Sequence, residues 1–406
     1  MKNTAQTWLA VIVLGIGAVL AAILGLFAYV SATATPIHPD PQQVASSAQS
    51  APLPQWTGAA ERARQIAREA VAAQNLPGLS VAVGIGGDLV WAEGFGFADL
   101  EKRSTVTSET RFRIGGVSVP MTSVAAGLLI EKGALKLDDE IQTYVPDFPK
   151  KQWPLTLRQL MGNVAGIRND EGDEEPLMER CDQTTDGLRR FADAELRFEP
   201  GTQYRSSSYG WILVSAAIDR AAGEPFFTFM KTQIFDRLGM SATRPDAAME
   251  VIPNRTVFYY PRFAADTRYG PELAREGDYS CFAGAGAYLS TPSDVVRFAM
   301  AVLGGRILQP GTVETLQTKQ KLKSGEQIDF GLGWNLETVS LGGQPTRMAG
   351  HGTKEDFIGT TAYLMTFPER GLVVAVATNT SFADARSVAA NIAEAFAQQG
   401  TSSTRR

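Results

Sequence analysis

Histidine occurs at two positions, His38 and His351, and cysteine at two, Cys181 and Cys281. Those four residues cannot build a multi-histidine centre or a four-cysteine zinc site, so no metal or other cofactor is expected. A Ser-His-Asp relay would have to draw on His351, because His38 falls in a stretch that reads as a linker. No serine has a lysine three residues later, the spacing that sets an amine beside a hydroxyl on one helix face. Ser118 has Met121 at that spacing. Thr228/Lys231 and Thr318/Lys321 have it, the second pair on a charged stretch that reads as a solvated face. No G-x-S-x-G turn occurs. Ser206, Ser207 and Ser208 are left as hydroxyls that a cleft could offer to His351. Asp170, Glu171, Asp173, Glu174 and Glu175 form an acidic run whose spacing matches no calcium loop and reads as a solvated loop. The two cysteines either pair in an oxidising compartment or remain buried thiols; sequence leaves that open.

The elements that must position these groups follow from composition and periodicity. The chain of 406 residues is 44% hydrophobic and 20% charged, ordinary for a globular protein. Its net charge of −5 argues against nucleic acid as a partner. Trp8 to Val30 is apolar and uncharged, long enough to cross a bilayer. A cleaved signal peptide is the competing reading, with Ala32-Thr33-Ala34 as the cut, but the run exceeds a signal core. An uncleaved anchor, residues 1–31, is therefore expected. Lys2 would hold the N-terminus in the cytoplasm, placing the rest of a single-pass protein outside it, periplasmic or extracellular. Residues 32–55, rich in Pro, Ser, Ala and Gln, read as a flexible tether. The globular domain is expected over 56–398, and 399–406 as a disordered tail.

Within the domain, helical spacing runs over 56–77. Strands at 79–85 and 89–95 form a hairpin around Gly86-Gly87-Asp88, and 361–366 and 372–378 form a second. A last helix is expected over 382–398. Hairpins from both ends imply one antiparallel sheet flanked by terminal helices, with a mostly helical lobe between about 112 and 330: an α+β fold. Phe258, Tyr259, Tyr260 and Phe263 read as lobe packing, with cleft lining as the alternative.

Several stretches, in this order, resemble the serine β-lactamase and penicillin-binding-protein family, class C β-lactamase-like. They are RFRIGGVSVPMTSVAAGLLIEKGALKLDDEIQTYVPDFP (111–149), LTLRQLMGNVAGI (155–167), PGTQYRSSSYGWILVSAAID (200–219), GAGAYLSTPSDVVRF (284–298) and AGHGTKEDFIGTTAYLMTFPERGLVVAVATN (349–379). The resemblance spans about 60–398 and implies the β-lactamase/transpeptidase fold. It also implies a serine nucleophile, a lysine three residues on, a tyrosine in a second motif and a K-T-G or H-x-G motif on a strand beside them.

Here those positions read otherwise. The nucleophile position holds Gly116, the lysine position Val119 and the tyrosine position Ser206. Asn163 stands where many relatives have histidine, and His351-Gly352-Thr353 forms the third motif. Loss of a hydrolase nucleophile costs on the order of 10⁶ in kcat in subtilisin, and joint losses do not add. No catalytic residue of the family is intact. The expected protein is a membrane-anchored, catalytically silent scaffold. Ser208, Asn163, His351, Gly352 and Thr353 would line a cleft for a small molecule, peptide or cell-wall fragment. Backbone N–H groups near Gly116 and the strand would leave an oxyanion-like pocket. The alternative is a working esterase, peptidase or β-lactamase-like enzyme using Ser118, Ser206 or Ser207 with His351; a third reading is a purely structural membrane protein. Gly116→Ser alone should restore little, and the same change with Val119→Lys and Ser206→Tyr should restore measurable acylation.

Overall fold

The computed structural model describes residues 2–169, 180–247, 250–353 and 359–403. The acidic run at 170–175 lies outside them. Helix α1, Lys2–Thr33, carries an apolar stretch, Val11–Thr33, of 23 residues with mean hydropathy 2.8. At 1.5 Å per residue it is long enough to cross a bilayer, as expected from composition.

The domain is built on one antiparallel sheet. Its strands are β1 (Ser46–Ala48), β2 (Gly78–Ile85), β3 (Asp88–Asp99), β4 (Asn335–Leu341), β5 (Gln344–Gly352), β6 (Thr361–Phe367) and β7 (Leu372–Thr378). Their spatial order is β1-β3-β2-β7-β6-β5-β4, with Ser104–Thr105 added on β3. The two hairpins expected from the sequence sit side by side because β7 pairs with β2, Val374 opposite Val83. Strands from both ends of the domain therefore meet in the centre.

Alternation explains the two layers. Along β7, Leu372, Val374 and Val376 face one core, and Val373, Ala375 and Ala377 face the other. The first face is covered by α2 (Thr57–Ala73) through Ala59, Ala63, Ala67 and Val71, and by α6 (Ala385–Ser403) through Val388, Ile392 and Phe396. The small residues of α2 let two helices lie close on one sheet face. The second face packs on α5 (Pro292–Leu303) and α3 (Ser118–Glu131), which belong to the helical lobe with α4 (Ser208–Ala222). Gly84 permits the closest approach, since a Cβ there would strike Met300 and Val296 of α5.

Two expectations about segments are corrected. Residues 32–55 are not a slack tether. β1 pairs with β3, Val44 is buried, and Ile37 N–H donates to Asn75 Oδ1 at 2.7 Å. His38 stacks on Phe97 at 5.3 Å and is buried, far from any relay. The free edge of β3 gives this polar segment partners that its composition does not reveal. The tail is also ordered further than expected: α6 continues to Ser403. Arg62 donates to Ala395 O and Gln399 Oε1, and Gln399 Nε2 to Gln55 O, which fixes the last turns against α2.

Candidate functional site

The chain enters α3 through a short turn, Gly115–Val117, that lies against the end of β5. Thr353 straps the two together. Its Oγ1 donates to Ile114 O at 3.0 Å and accepts from Ala362 N–H at 3.1 Å. Gly115 has φ +44°, and a Cβ there would run into Thr353 Cγ2. A Cβ on Gly116 would run into the carbonyl oxygen of Gly352 and come within 3.2 Å of His351 Cε1 and Nδ1. The position that the resemblance assigns to the nucleophile therefore has a backbone oxygen of the neighbouring strand where a side chain would stand.

That oxygen also bears on the expected oxyanion-like pocket. An acceptor, not a donor, faces Gly116. The N–H of Thr353 is committed to Ala362 O at 2.9 Å. A developing negative charge would meet a carbonyl dipole pointing the wrong way. Val119 is buried in the larger core, and Ser118 is wholly buried with no hydrogen bond to its hydroxyl among the described residues.

The second motif forms the opposite wall. Asn163 adopts a left-handed backbone, φ +57°, which an asparagine tolerates better than most residues. Its carbonyl accepts from Arg205 N–H at 2.9 Å and its Oδ1 from Ser207 N–H at 3.4 Å. Ser207 caps α4: its Oγ accepts from Gly210 N–H at 3.1 Å and donates to Arg168 O at 2.8 Å. Ser208 begins the helix, its N–H on Asn169 Oδ1 at 3.0 Å. Asn163 and Ser208, expected to bind substrate, hold this turn in place and do not line the cavity beside it. Ser206 is exposed and does line it.

The cavity measures about 470 Å³ and is bounded by Tyr204, Ser206, Phe330, Asn335, Phe382 and Arg386, together with the third motif, His351 to Thr353. Four of the expected site residues, Ser206, His351, Gly352 and Thr353, are thus brought together; Gly116 and Val119 are not among its walls. His351 Nδ1 lies 3.0 Å from Gly352 O. A carbonyl oxygen only accepts, so the proton is on Nδ1 and Nε2 is left as an acceptor. Burial pushes the imidazole down to about 4, so it is neutral near pH 7. No serine hydroxyl bonds to it among the described residues. Tyr363, whose phenol is pushed up by burial, carries the Arg386 guanidinium 5.7 Å over its ring. Arg386 is also paired with Glu337. The wall offers hydroxyl, imidazole, amide, guanidinium and aromatic faces, and among the described residues no serine in it is hydrogen-bonded to the imidazole.

Tyr363, Phe330, Phe382 and Arg386 were not foreseen. Tyr363 reads in sequence as an ordinary strand residue, and Phe382 and Arg386 as the start of a surface helix; no pattern marks them. The aromatic group at 258–263 packs instead. Phe258 lies 4.0 Å from the Arg113 guanidinium, which is buried in a pair with Asp246, and Tyr259 OH accepts from Leu100 N–H. Cys181 and Cys281 are joined in a disulfide, their Cα atoms 4.9 Å apart.

Residues 63–398 match the family model described as Beta-lactamase. The human serine beta-lactamase-like protein LACTB, mitochondrial, is 28% identical over an alignment of 298 residues, with 56% of this chain and 54% of that one covered. Penicillin-binding protein 4* of Bacillus subtilis is 27% identical over 269 residues, 62% and 58% of the two chains. The chain thus spans little more than half the length of these relatives. Among solved structures, the octameric penicillin-binding protein homologue from Pyrococcus abyssi superposes with a TM-score of 0.68 at 22% identity, covering 81% of this chain and 75% of that one. The D-amino acid amidase from Ochrobactrum anthropi SV3 gives 0.69 at 23% identity, covering 86% and 99%. At such identities the likeness speaks for the fold.

Proposed function

The chain belongs to the beta-lactamase family, which residues 63–398 match, and on that premise we propose that it is a membrane-anchored, extracytoplasmic member that binds a ligand in its cleft without acylating. The reading rests above all on Gly116. A side chain at that position would collide with Gly352 O, so the place of the nucleophile has no room for a hydroxyl. Val119 and Ser206 supply neither the amine nor the phenol that activates the family's serine. The neutral imidazole of His351 donates to a backbone carbonyl and, among the described residues, has no hydroxyl hydrogen-bonded to it. Against a working hydrolase, Ser118 is buried and Ser207 serves as a helix cap, while Ser206 shares the cavity with His351 but makes no hydrogen bond to it among the described residues.

Two features favour an anchored, exported domain. The Cys181–Cys281 disulfide suits an oxidising compartment. The end of α1 packs against the domain, with Val30 buried and its carbonyl accepting from Arg262 Nη2 at 3.0 Å. Contacts of this kind have use only if the helix stays attached. The ligand is a small polar molecule, peptide or cell-wall fragment that answers the hydroxyl, imidazole and guanidinium of the wall. The test is incubation of the purified chain with a fluorescent penicillin and with an activated ester, read by intact mass. Unmodified protein is expected, and a stable covalent adduct on any serine would overturn the proposal.

A further inference from the structure

The junction between α1 and the domain fixes where the cleft opens. Phe27 of α1 has its ring 6.4 Å from Phe263 and 6.0 Å from Tyr269. Arg262 Nη2 donates to Val30 O at 3.0 Å and to Thr33 Oγ1 at 3.1 Å. Arg262, Phe263 and Tyr269 sit in the loop between two short paired strands, Tyr259–Pro261 and Pro271–Leu273. The same loop supplies Ala265 to the wall of the cleft, which Ser206 and Phe382 also line. Tyr260 braces Phe382 edge-on at 5.4 Å. One loop therefore touches the apolar helix on one side and the cleft on the other.

The chain has no slack in which to turn away. Directly after α1, Asn75 holds Ile37 N–H through Oδ1 at 2.7 Å, and its Nδ2 lies 3.4 Å from Thr35 O and 3.5 Å from Arg268 O. One asparagine thus ties the exit of α1 to the same loop, and β1 begins nine residues after Ile37. An apolar stretch of 23 residues is about 35 Å long at 1.5 Å per residue, slightly more than a hydrocarbon core. Val30 and Thr33, which bond to Arg262, end the span at headgroup depth, and Phe27, about 9 Å further in at 1.5 Å per residue, brings the rings of Phe263 and Tyr269 against the outer hydrocarbon. Arginine and tyrosine on that loop have the chemistry of the membrane interface.

We propose that the cleft opens at the level of the lipid headgroups and takes the polar head of an amphiphile whose apolar part remains in the bilayer. This rests on the reading of the cleft as a ligand site and names the physical source of the ligand. The head enters past Ala265 toward Ser206 and His351, while its chains stay beside α1. A freely diffusing ligand gains nothing from such placement; one confined to the bilayer surface is held at high effective concentration beside the cleft.

The experiment uses the full chain in vesicles of phosphatidylethanolamine and phosphatidylglycerol. Because both native cysteines are paired, a new thiol can be labelled alone. Ser206→Cys carrying a benzophenone is irradiated and analysed by intact mass for a phospholipid adduct. Lys132→Cys, exposed at the far end of α3, is the control. A long flexible Gly-Ser insert between Ala34 and Thr35, combined with Arg262→Ala, releases the domain from the helix. The expected result is a lipid adduct at position 206, several-fold above position 132, that disappears in the released variant. No adduct at 206, or an equal one at 132 or after release, would overturn the proposal. Either outcome leaves the penicillin and ester test to decide the matter of acylation separately.

Discussion

Glycine at position 116 does more than omit a hydroxyl, because β5 has closed over it. Gly116→Ala and Gly116→Ser must both push the Gly352 carbonyl away, an overpacking cost of about 1–3 kcal/mol. Both should lower the urea midpoint alike, and neither should acylate. The threefold change Gly116→Ser, Val119→Lys, Ser206→Tyr, which from sequence alone should restore acylation, is now expected to leave the protein unacylated by intact mass. It restores the functional groups but not the space or the oxyanion donors. His351 gives a second test at this scale. Unfolded, the ring takes its proton near 6.5; folded, near 4. Between those values the unfolded chain binds more protons, so this contribution is whole above about 6.5 and is lost as the pH falls toward 4. The stability difference between the natural protein and His351→Gln, from chemical denaturation, should shrink as pH falls from about 7 to about 4.5. His38, also lowered by burial, is present in both and cancels.

The elements most legible in the sequence were those with strong periodicity. The hairpins at Gly86-Gly87-Asp88 and around Pro368–Arg370, short apolar runs on either side of a turn, are where they were expected. Residues 32–55 were misread because a docked edge strand carries no signature when it is three residues long and its partner lies about fifty residues away in sequence. Ser46, Ser47 and Ala48 are polar or small, and only the unpaired edge of β3 gives them a structure. Register makes this testable. Ala45 O accepts from Gly96 N–H and Gln49 N–H donates to Ala92 O, so by alternation Ser47 shares the ladder with Gly94, whereas Ser46 N–H points away. Ser47→Pro should cost on the order of 1–2 kcal/mol in thermal or urea unfolding, and Ser46→Pro distinctly less. Equal effects would mean that β1 adds nothing to stability.

Over the whole molecule, the disulfide closes a loop of 100 residues that contains α4. Constraint of the unfolded chain over such a loop is worth on the order of 4 kcal/mol. Cys181→Ser with Cys281→Ser should lower the unfolding free energy by that order in urea, with the sheet's far-ultraviolet signature retained in the folded state. The sequence by itself determined the family-like order of elements, the apolar helix and the residue types Gly116, Val119 and Ser206 at the positions that the family resemblance assigns to nucleophile, amine and phenol, because each is a matter of residue type at a position along the chain. It could not decide the Cys181–Cys281 pairing, the docking of residues 32–55 or the closure of Gly352 over Gly116. Nor could it separate Ser206 in the cleft from Ser207 in a cap. Each of these depends on distances between segments far apart in the chain, and those distances exist only once the sheet has brought the two ends together.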